Sequence, residues 1–292
     1  MLVAVLSDKP ELREEFCRSL GKETSRRELV FYNPEEKSIT LIDTIGYPEK
    51  IQPLLYALSM ADYVILIVDS LTPKIGEIII ALSSLKCENG LIVSKVSLPL
   101  AGTTLEKFEK VADMEAAKAK VLSLNPMEAG NSLFGLIHNT ENVQSLGHVA
   151  HGILKSGKLK KADKFYVLPD KKEAEVRNIQ LHGNEVEEVS AGAMFSIAYK
   201  GEPFERSILV PLRYDHEVGN VINGRFIKSP FYKDELRGKI HAYSNMQFIE
   251  GHLNESDITL NQPMAYEKGE FILIVDASNQ KLRIVGAFQS KW

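Results

Sequence analysis

The 292-residue sequence predicts an α/β domain followed by two all-β barrel domains. Two observations carry that expectation. Over residues 1–130, short runs rich in Val, Ile and Leu alternate with segments of helical spacing, the pattern of a mainly parallel sheet covered on both faces by helices. After Pro126 helical periodicity almost stops, and short alternating strands are separated by Gly, Asn and Asp turn residues, as in small barrels or sandwiches. That second stretch holds two separately patterned blocks dividing near Ser207, so the expected domains are 1–130, 131–206 and 207–292. A chain of this length has room for two or three units, each burying its own core.

In the first domain, Leu2–Leu6, Leu29–Tyr32, Ile39–Asp43, Tyr63–Asp69, Gly90–Val93 and Lys120–Leu124 are expected as short buried strands. Helices are expected at Glu11–Leu20, Lys50–Met60, Ile75–Leu85 and Thr104–Met114. Leu54, Leu55, Leu58 and Ala61 form one apolar stripe, and Ile78, Ile79, Leu82 and Leu85 form another. Farther on, strands are expected at Lys164–Leu168, Ala174–Ile179, Met194–Tyr199, Ile208–Leu212, Phe271–Val275 and Leu282–Ala287.

Composition narrows the function classes. A net charge of −4 excludes a strongly basic nucleic-acid coat, while leaving room for a local basic patch. The two cysteines, Cys17 and Cys87, give no disulfide framework; both are expected as core residues in helices of a protein kept in a reducing compartment. The chain opens on a strand, and no apolar run reaches 18 residues, so neither a signal peptide nor a membrane span is expected and the expected location is cytoplasmic.

The second block carries the most specific signal. Gly147-His148-Val149-Ala150-His151-Gly152-Ile153-Leu154-Lys155-Ser156-Gly157 is followed by Glu175-Val176-Arg177-Asn178-Ile179-Gln180-Leu181-His182-Gly183, then Ala191-Gly192 and Ile197-Ala198-Tyr199-Lys200-Gly201. In residue type and spacing over residues 147–201, this resembles the second, barrel domain of elongation factor Tu and its relatives, including the selenocysteine-specific factor. Gly147, Gly152, Gly157 and Gly192 fall where barrel turns demand unusual backbone angles or no side chain. The resemblance implies a GTPase-like first domain, a third domain that is also a barrel, and tRNA or the ribosome as partner. With its short loops the chain is most similar to the selenocysteine-factor-like proteins of archaea associated with pyrrolysine. In the family, the acceptor end of aminoacyl-tRNA rests along the first two domains and the third contacts the T stem.

The nucleotide motifs that the resemblance implies are degenerate. A phosphate loop needs Gly-x-x-x-x-Gly-Lys-[Ser/Thr], whose bare N–H groups wrap the phosphates. Here Ser7-Asp8-Lys9-Pro10-Glu11-Leu12-Arg13 contains no glycine, Pro10 lacks a backbone donor, and Asp8 and Glu11 place carboxylates where phosphate charge would lie. The switch segment shrinks to Lys22–Arg27, with Thr24 the one candidate for its threonine. Asp43-Thr44-Ile45-Gly46 retains the Asp-x-x-Gly that GTPases aim at magnesium and the γ-phosphate, but Tyr47 replaces the water-positioning histidine. Ser94-Lys95-Val96-Ser97 stands for "N-K-x-D", its guanine-reading aspartate now a hydroxyl, and Ser123-Leu124-Asn125 stands for the last motif. The expected remnant nucleotide site is therefore Asp43, Gly46 and Lys95, with no catalytic residue, no metal and no cofactor.

The expected function is a pseudo-GTPase translation factor that binds tRNA or the ribosome. One alternative is an active, atypical GTPase, which alone would require GTP and magnesium. Another is a docking scaffold with no RNA role. Residues 155–177 hold eight Lys or Arg against four acids, so Lys155, Lys158, Lys160, Lys161 and Arg177 are expected RNA contacts. The same run equally suits a soluble hairpin with a charged rim, and the acids at 185–188 read as a solvated turn. Arg206, Arg213, Arg225, Lys228, Lys233, Arg237 and Lys239 add charge in the third part without a recognisable readout motif. His148, His151 and His182 are expected on separate strands and loops, as hydrogen-bonding residues without metal-ligand spacing.

Overall fold

A computed structural model describes residues 1–34, 39–125, 130–181, 183–236 and 239–292. In the first domain β1 (Leu2–Leu6), β2 (Lys22–Arg26), β3 (Val30–Asn33), β4 (Thr40–Asp43), β5 (Tyr63–Val68), β6 (Gly90–Ser94) and β7 (Glu109–Val111) form one sheet in the order β2-β3-β4-β1-β5-β6-β7. Strands β4, β1, β5, β6 and β7 are parallel, and β2 and β3 are antiparallel additions at one edge. The period-2 rule sorts their side chains between two layers. Leu2, Ala4, Leu6, Val64 and Leu66 pack under α2 (Gln52–Met60) and α3 (Pro73–Ser84), while Val3, Val5, Ile65 and Ile67 pack against α1 (Pro10–Leu20) and α4 (Met114–Ser123).

Four expectations in this domain need correction. The strand expected at Lys120–Leu124 is the end of helix α4, and the helix expected at Thr104–Met114 is a single 3₁₀ turn, Thr104–Lys107, followed by β7. Asp113 caps α4 by accepting from the Ala116 amide at 2.9 Å, and the strong helix formers Glu115–Lys120 then propagate it. The segment Lys22–Arg27, expected as a shortened switch loop, is largely β2, an edge strand exposed along its whole length and so without apolar alternation to reveal it. Cys17 is buried in α1 as expected, whereas Cys87 lies just beyond α3.

The second domain comprises β8 (Phe134–Val143), β9 (Gly147–Ser156), β10 (Lys158–Lys160), β11 (Lys164–Leu168), β12 (Lys172–Leu181), β13 (Asn184–Val186), β14 (Glu188–Ser190), β15 (Met194–Gly201) and β16 (Ser207–Val210). The order β11-β16-β8-β9-β15-β12 closes through pairing of β12 with β11. Strand β16, which follows the boundary expected at 206/207, completes this ring between β8 and β11. Gly152 sits in the wall where an added Cβ would meet the Leu136 carbonyl oxygen at 2.5 Å, and Gly157 adopts φ +73°. The third domain is a closed barrel of β17 (Glu217–Lys228), β18 (Ile240–Ser244), β19 (Gln247–Leu253), β20 (Asp257–Tyr266), β21 (Phe271–Val275) and β22 (Ile284–Ser290).

One apolar layer joins the domains, beside a separate core inside each barrel. The layer under α2 and α3 runs on through Leu136, Ile153, Ile208 and Val210 of the second barrel to Tyr243, Met246, Leu273 and Ile284 of the third. Polar stitches close its edges. Lys155 donates to the Met60 and Ala61 carbonyls at the end of α2 (2.9 and 3.1 Å) and pairs with Asp62 at 2.6 Å. The Tyr243 hydroxyl donates to the Leu55 carbonyl at 2.8 Å. Among the described residues no helix is long and apolar enough to cross a membrane.

Candidate functional site

The carboxyl ends of β4, β1, β5 and β6 lie along one edge of the sheet, the edge where open α/β sheets bind ligands. Asp43 ends β4 and Gly46 follows it, Ser7–Lys9 follows β1, and Lys95 follows β6, so these residues lie at the same edge. The space between the loops is filled by the chain itself. Arg13, in the second turn of α1 and 1% exposed, turns its guanidinium back under the β1–α1 loop. Its Nε donates to Asp43 Oδ1 at 2.7 Å, Nη1 to the Ser7 carbonyl at 2.6 Å, and Nη2 to the Thr44 and Tyr47 carbonyls, each at 3.0 Å. Burial pushes the Asp43 carboxyl above the usual carboxylate range, and the charge and hydrogen bond of Arg13 pull against that shift.

The neighbouring groups are also committed. Thr72 Oγ1 donates to Asp8 at 2.6 Å and accepts from the Ile75 amide, so one hydroxyl both caps α3 and holds the loop after β1. Lys9 pairs with Asp69. Gly46 takes φ +84°, which allows the tight turn that buries Tyr47, whose hydroxyl donates to the Lys74 carbonyl at 2.8 Å. Thr24, the candidate switch threonine, donates to the Phe31 carbonyl within its own hairpin. Lys95 is exposed, and the Ser94 hydroxyl donates to the Val96 carbonyl and accepts from its amide.

The expected RNA contacts fare unevenly. Lys155 faces inward on Asp62 and the end of α2, which removes it from any exposed phosphate surface. Lys158 and Lys160 pair with Glu188, and Lys161 pairs with Glu185 and Glu187, so the acids expected as a solvated turn neutralise the lysine cluster. Arg177 is exposed on β12. In the third part Arg213, Arg225 and Lys233 are exposed, Lys239 pairs with Glu250, and Arg237 lies outside the described residues. His148 and His151 share strand β9 rather than separate elements, and His182 is outside the described residues. Among the described residues no group of three or more His, Cys, Asp or Glu could hold a metal.

A polar cleft of about 510 Å³ separates the β2–β3 hairpin from the second barrel, with Arg27, Phe31, His138, Asn139, Glu141, His151 and Ser196 in its walls. Arg27 donates to Asn139 Oδ1 at 2.7 Å and to Glu141 at 3.1 Å. His151 bridges Glu141 (2.9 Å) and Ser196 (2.8 Å), and these contacts hold the Glu141 carboxyl below its usual range. The His138 ring packs against Phe31 and His151; loss of surrounding water, then the like charges of His151, Arg206 and Arg27, lower its pKa to about 3. Apart from His151, sequence reading missed these cleft residues because they come from strands β8, β9 and β15 and a hairpin over a hundred residues earlier. A second cleft of about 780 Å³ lies between the two barrels, lined in part by Tyr199 and Phe204.

No family model matches the chain. An uncharacterised protein of Methanocaldococcus jannaschii is 27% identical over 289 residues, spanning 92% of this chain and 94% of that protein. Translation elongation factor SelB from Methanococcus maripaludis, in complex with the GTP analogue GppNHp, is similar with a TM-score of 0.79 and 17% identity, covering 100% of this chain and 79% of that chain. The three-domain fold is that of the elongation factors. Bacterial selenocysteine-specific elongation factor EF-Sec matches at a TM-score of 0.72 and 19% identity over 99% of this chain, which spans 58% of that protein's length. On the elongation-factor fold, the filled edge of the sheet is where the β1–α1 loop and the Asp-x-x-Gly loop meet.

Two outcomes test the site's electrostatics. Arg13→Met leaves the Asp43 carboxylate buried and alone and should cost about 3–5 kcal/mol in urea unfolding. Removing both charges in Arg13→Met/Asp43→Leu should recover most of that loss, whereas equal losses in the single and double variants would show that the ion pair is not what holds the loops. His138 is neutral in the folded state down to pH about 3 but takes a proton in the unfolded chain near pH 6.5. The unfolded state therefore binds more protons across that window, and stability present above pH 6.5 is lost on acidification, by about 1 kcal/mol between pH 6 and pH 5. His138→Gln should flatten this part of the profile; an unchanged slope would assign it to other groups.

Proposed function

We propose that this chain is an elongation-factor paralogue that works without nucleotide and takes the acceptor end of a tRNA in the cleft between the β2–β3 hairpin and the second barrel. Within that group, the degenerate loops at 7–13 and 94–97 favour kinship with the archaeal proteins associated with pyrrolysine. Its expected working place is the cytoplasm. The observation that supports a pseudo-GTPase is Arg13: a guanidinium bonded to Asp43 and three loop carbonyls takes the carboxylate that a magnesium ion would need. A divalent cation placed there would face a buried positive charge, and phosphate would find no glycine-rich nest of N–H groups.

Support for the acceptor cleft comes from its chemistry. Asn139 Nδ2, buried and without a hydrogen-bond partner among the described residues, offers a donor, and Glu141, already paired with Arg27 and His151, keeps carboxylate lone pairs for an amine. A mixed wall of this kind suits a ribose and an aminoacyl group better than a run of phosphates. The lysines of 158–161 are a weaker candidate because Glu185, Glu187 and Glu188 balance them.

The test is binding of aminoacylated bulk tRNA as a function of salt. Affinity should fall as salt rises, since any tRNA contact releases counterions. His151→Ala, in a variant of normal thermal stability, should weaken binding about tenfold, the loss of about one charge-assisted hydrogen bond. Replacing Lys158, Lys160 and Lys161 together by Ala should change affinity less than threefold. The opposite ranking, with the salt slope shallower by about three phosphate contacts in the lysine variant, would move the RNA surface to the β10–β14 ribbon. Failure of the intact protein to bind tRNA would favour a docking role.

A further inference from the structure

The loop that follows Asp43 is held from two domains at once. Arg13 of the first domain takes the carbonyls of Thr44 and Tyr47. Arg283 of the third barrel, just before β22 and 6% exposed, takes the carbonyls of Pro48 (2.8 Å) and Glu49 (3.0 Å). The Arg283 guanidinium also meets both carboxylate oxygens of Glu77 on α3, a residue with no exposed surface, and the Arg283 amide donates to Glu77 Oε1 at 2.8 Å. Lys74, one turn earlier on α3, donates to the Gln280 carbonyl of the same barrel loop at 3.0 Å. Four of the six carbonyls of the 44–49 turn, those of Thr44, Tyr47, Pro48 and Glu49, are thus capped by two buried guanidiniums, and the Arg283 guanidinium lies 5.7 Å from the Tyr47 ring.

The geometry points to a conformational clamp: Arg13 and Arg283 fix the 44–49 loop, and with it the third barrel on the first domain, in one arrangement that does not depend on nucleotide. A loop that must move between two states needs carbonyls and amides free to change partners, and the energy difference between its states must be small enough for a ligand to tip. Here a move of the loop would take two carbonyl acceptors from each of two buried guanidiniums, which would keep only Asp43, the Ser7 carbonyl and Glu77, and each buried N–H left unsatisfied is costly. The connection continues to the site through α3, which carries Glu77 and is capped by the Thr72 that also donates to Asp8. The two loops that frame the sheet edge and the third barrel are therefore one connected unit. This reading rests on the proposed function only in taking the fixed arrangement as the one competent for tRNA.

Hydrogen exchange on the full chain tests the clamp. The Tyr47 and Lys50 amides, bonded to the Thr44 and Gly46 carbonyls, should exchange slowly and at the same rate with or without millimolar GTP or GDP. Glu77→Met/Arg283→Met removes both charges together, which avoids leaving one buried alone, and should speed exchange of these two amides at least tenfold while β1 and β21 keep their protection. Arg283→Lys, which keeps a charge for Glu77 but gives up the planar fork, should fall between the two. Fast exchange at Tyr47 and Lys50 in the unaltered protein, a response to nucleotide, or no change in either variant would overturn the clamp. Protection that behaves as stated in a protein that binds no tRNA would leave the clamp standing and remove only the function assigned to it.

Discussion

The pairing of Arg13 with Asp43 is the constraint on which the rest of the first domain depends. A guanidinium buried to this degree is tolerable only if its N–H groups are satisfied, and here a carboxylate and three backbone carbonyls do so. That requirement dictates the paths of two loops. The chain after β1 must present the Ser7 carbonyl inward, where a phosphate loop would present amides. The chain after β4 must turn tightly enough to bring the carbonyls of Thr44 and Tyr47 to one nitrogen, which the left-handed Gly46 makes possible. The retained Asp-x-x-Gly is in this sense still a cation-binding device, with the cation supplied covalently by α1.

From there the order of the molecule spreads outward through the apolar layer that the domains share. The apolar layer under α2 and α3 is also the interface to both barrels, and its polar edges are closed by Lys155, Tyr243 and Arg283. An interface that is largely hydrophobic and stitched by buried polar groups favours a fixed arrangement of domains over the relative motion expected of small polar interfaces. A rigid frame is what a preformed binding cleft needs, since ordering costs are then met on folding rather than on binding. The cleft between the β2–β3 hairpin and the second barrel is shaped by that frame: Arg27 reaches from one side to Asn139 and Glu141 on the other.

Much of the architecture was legible because burial leaves a periodic trace. Leu2–Leu6 reads as a central strand since both its faces are covered, Gly147, Gly157 and Gly192 mark positive-φ positions at barrel turns, and Gly152 marks a close approach in the barrel wall. What failed lacked such a trace. Strand β2 is exposed along its length, β7 has three residues, and α4 is declared by the Asp113 cap more than by an apolar stripe. At the site, Asp43, Gly46 and Lys95 could be found from a motif, whereas the role of Arg13 could not, because an arginine at that helix position has no signature until its partners are placed. Lys155 is the converse case: a lysine in a basic run looks available to phosphate, and only the fold reveals Asp62 and the end of α2 beside it.

The most direct measurement of the central claim is a calorimetric titration of the intact protein with GTP and magnesium. If Arg13 fills the nucleotide site, binding should be no tighter than about millimolar, near −4 kcal/mol, with no preference for GTP over ATP. Micromolar affinity with a preference for guanine would show that the Arg13–Asp43 pair opens to admit nucleotide, and would contradict the account.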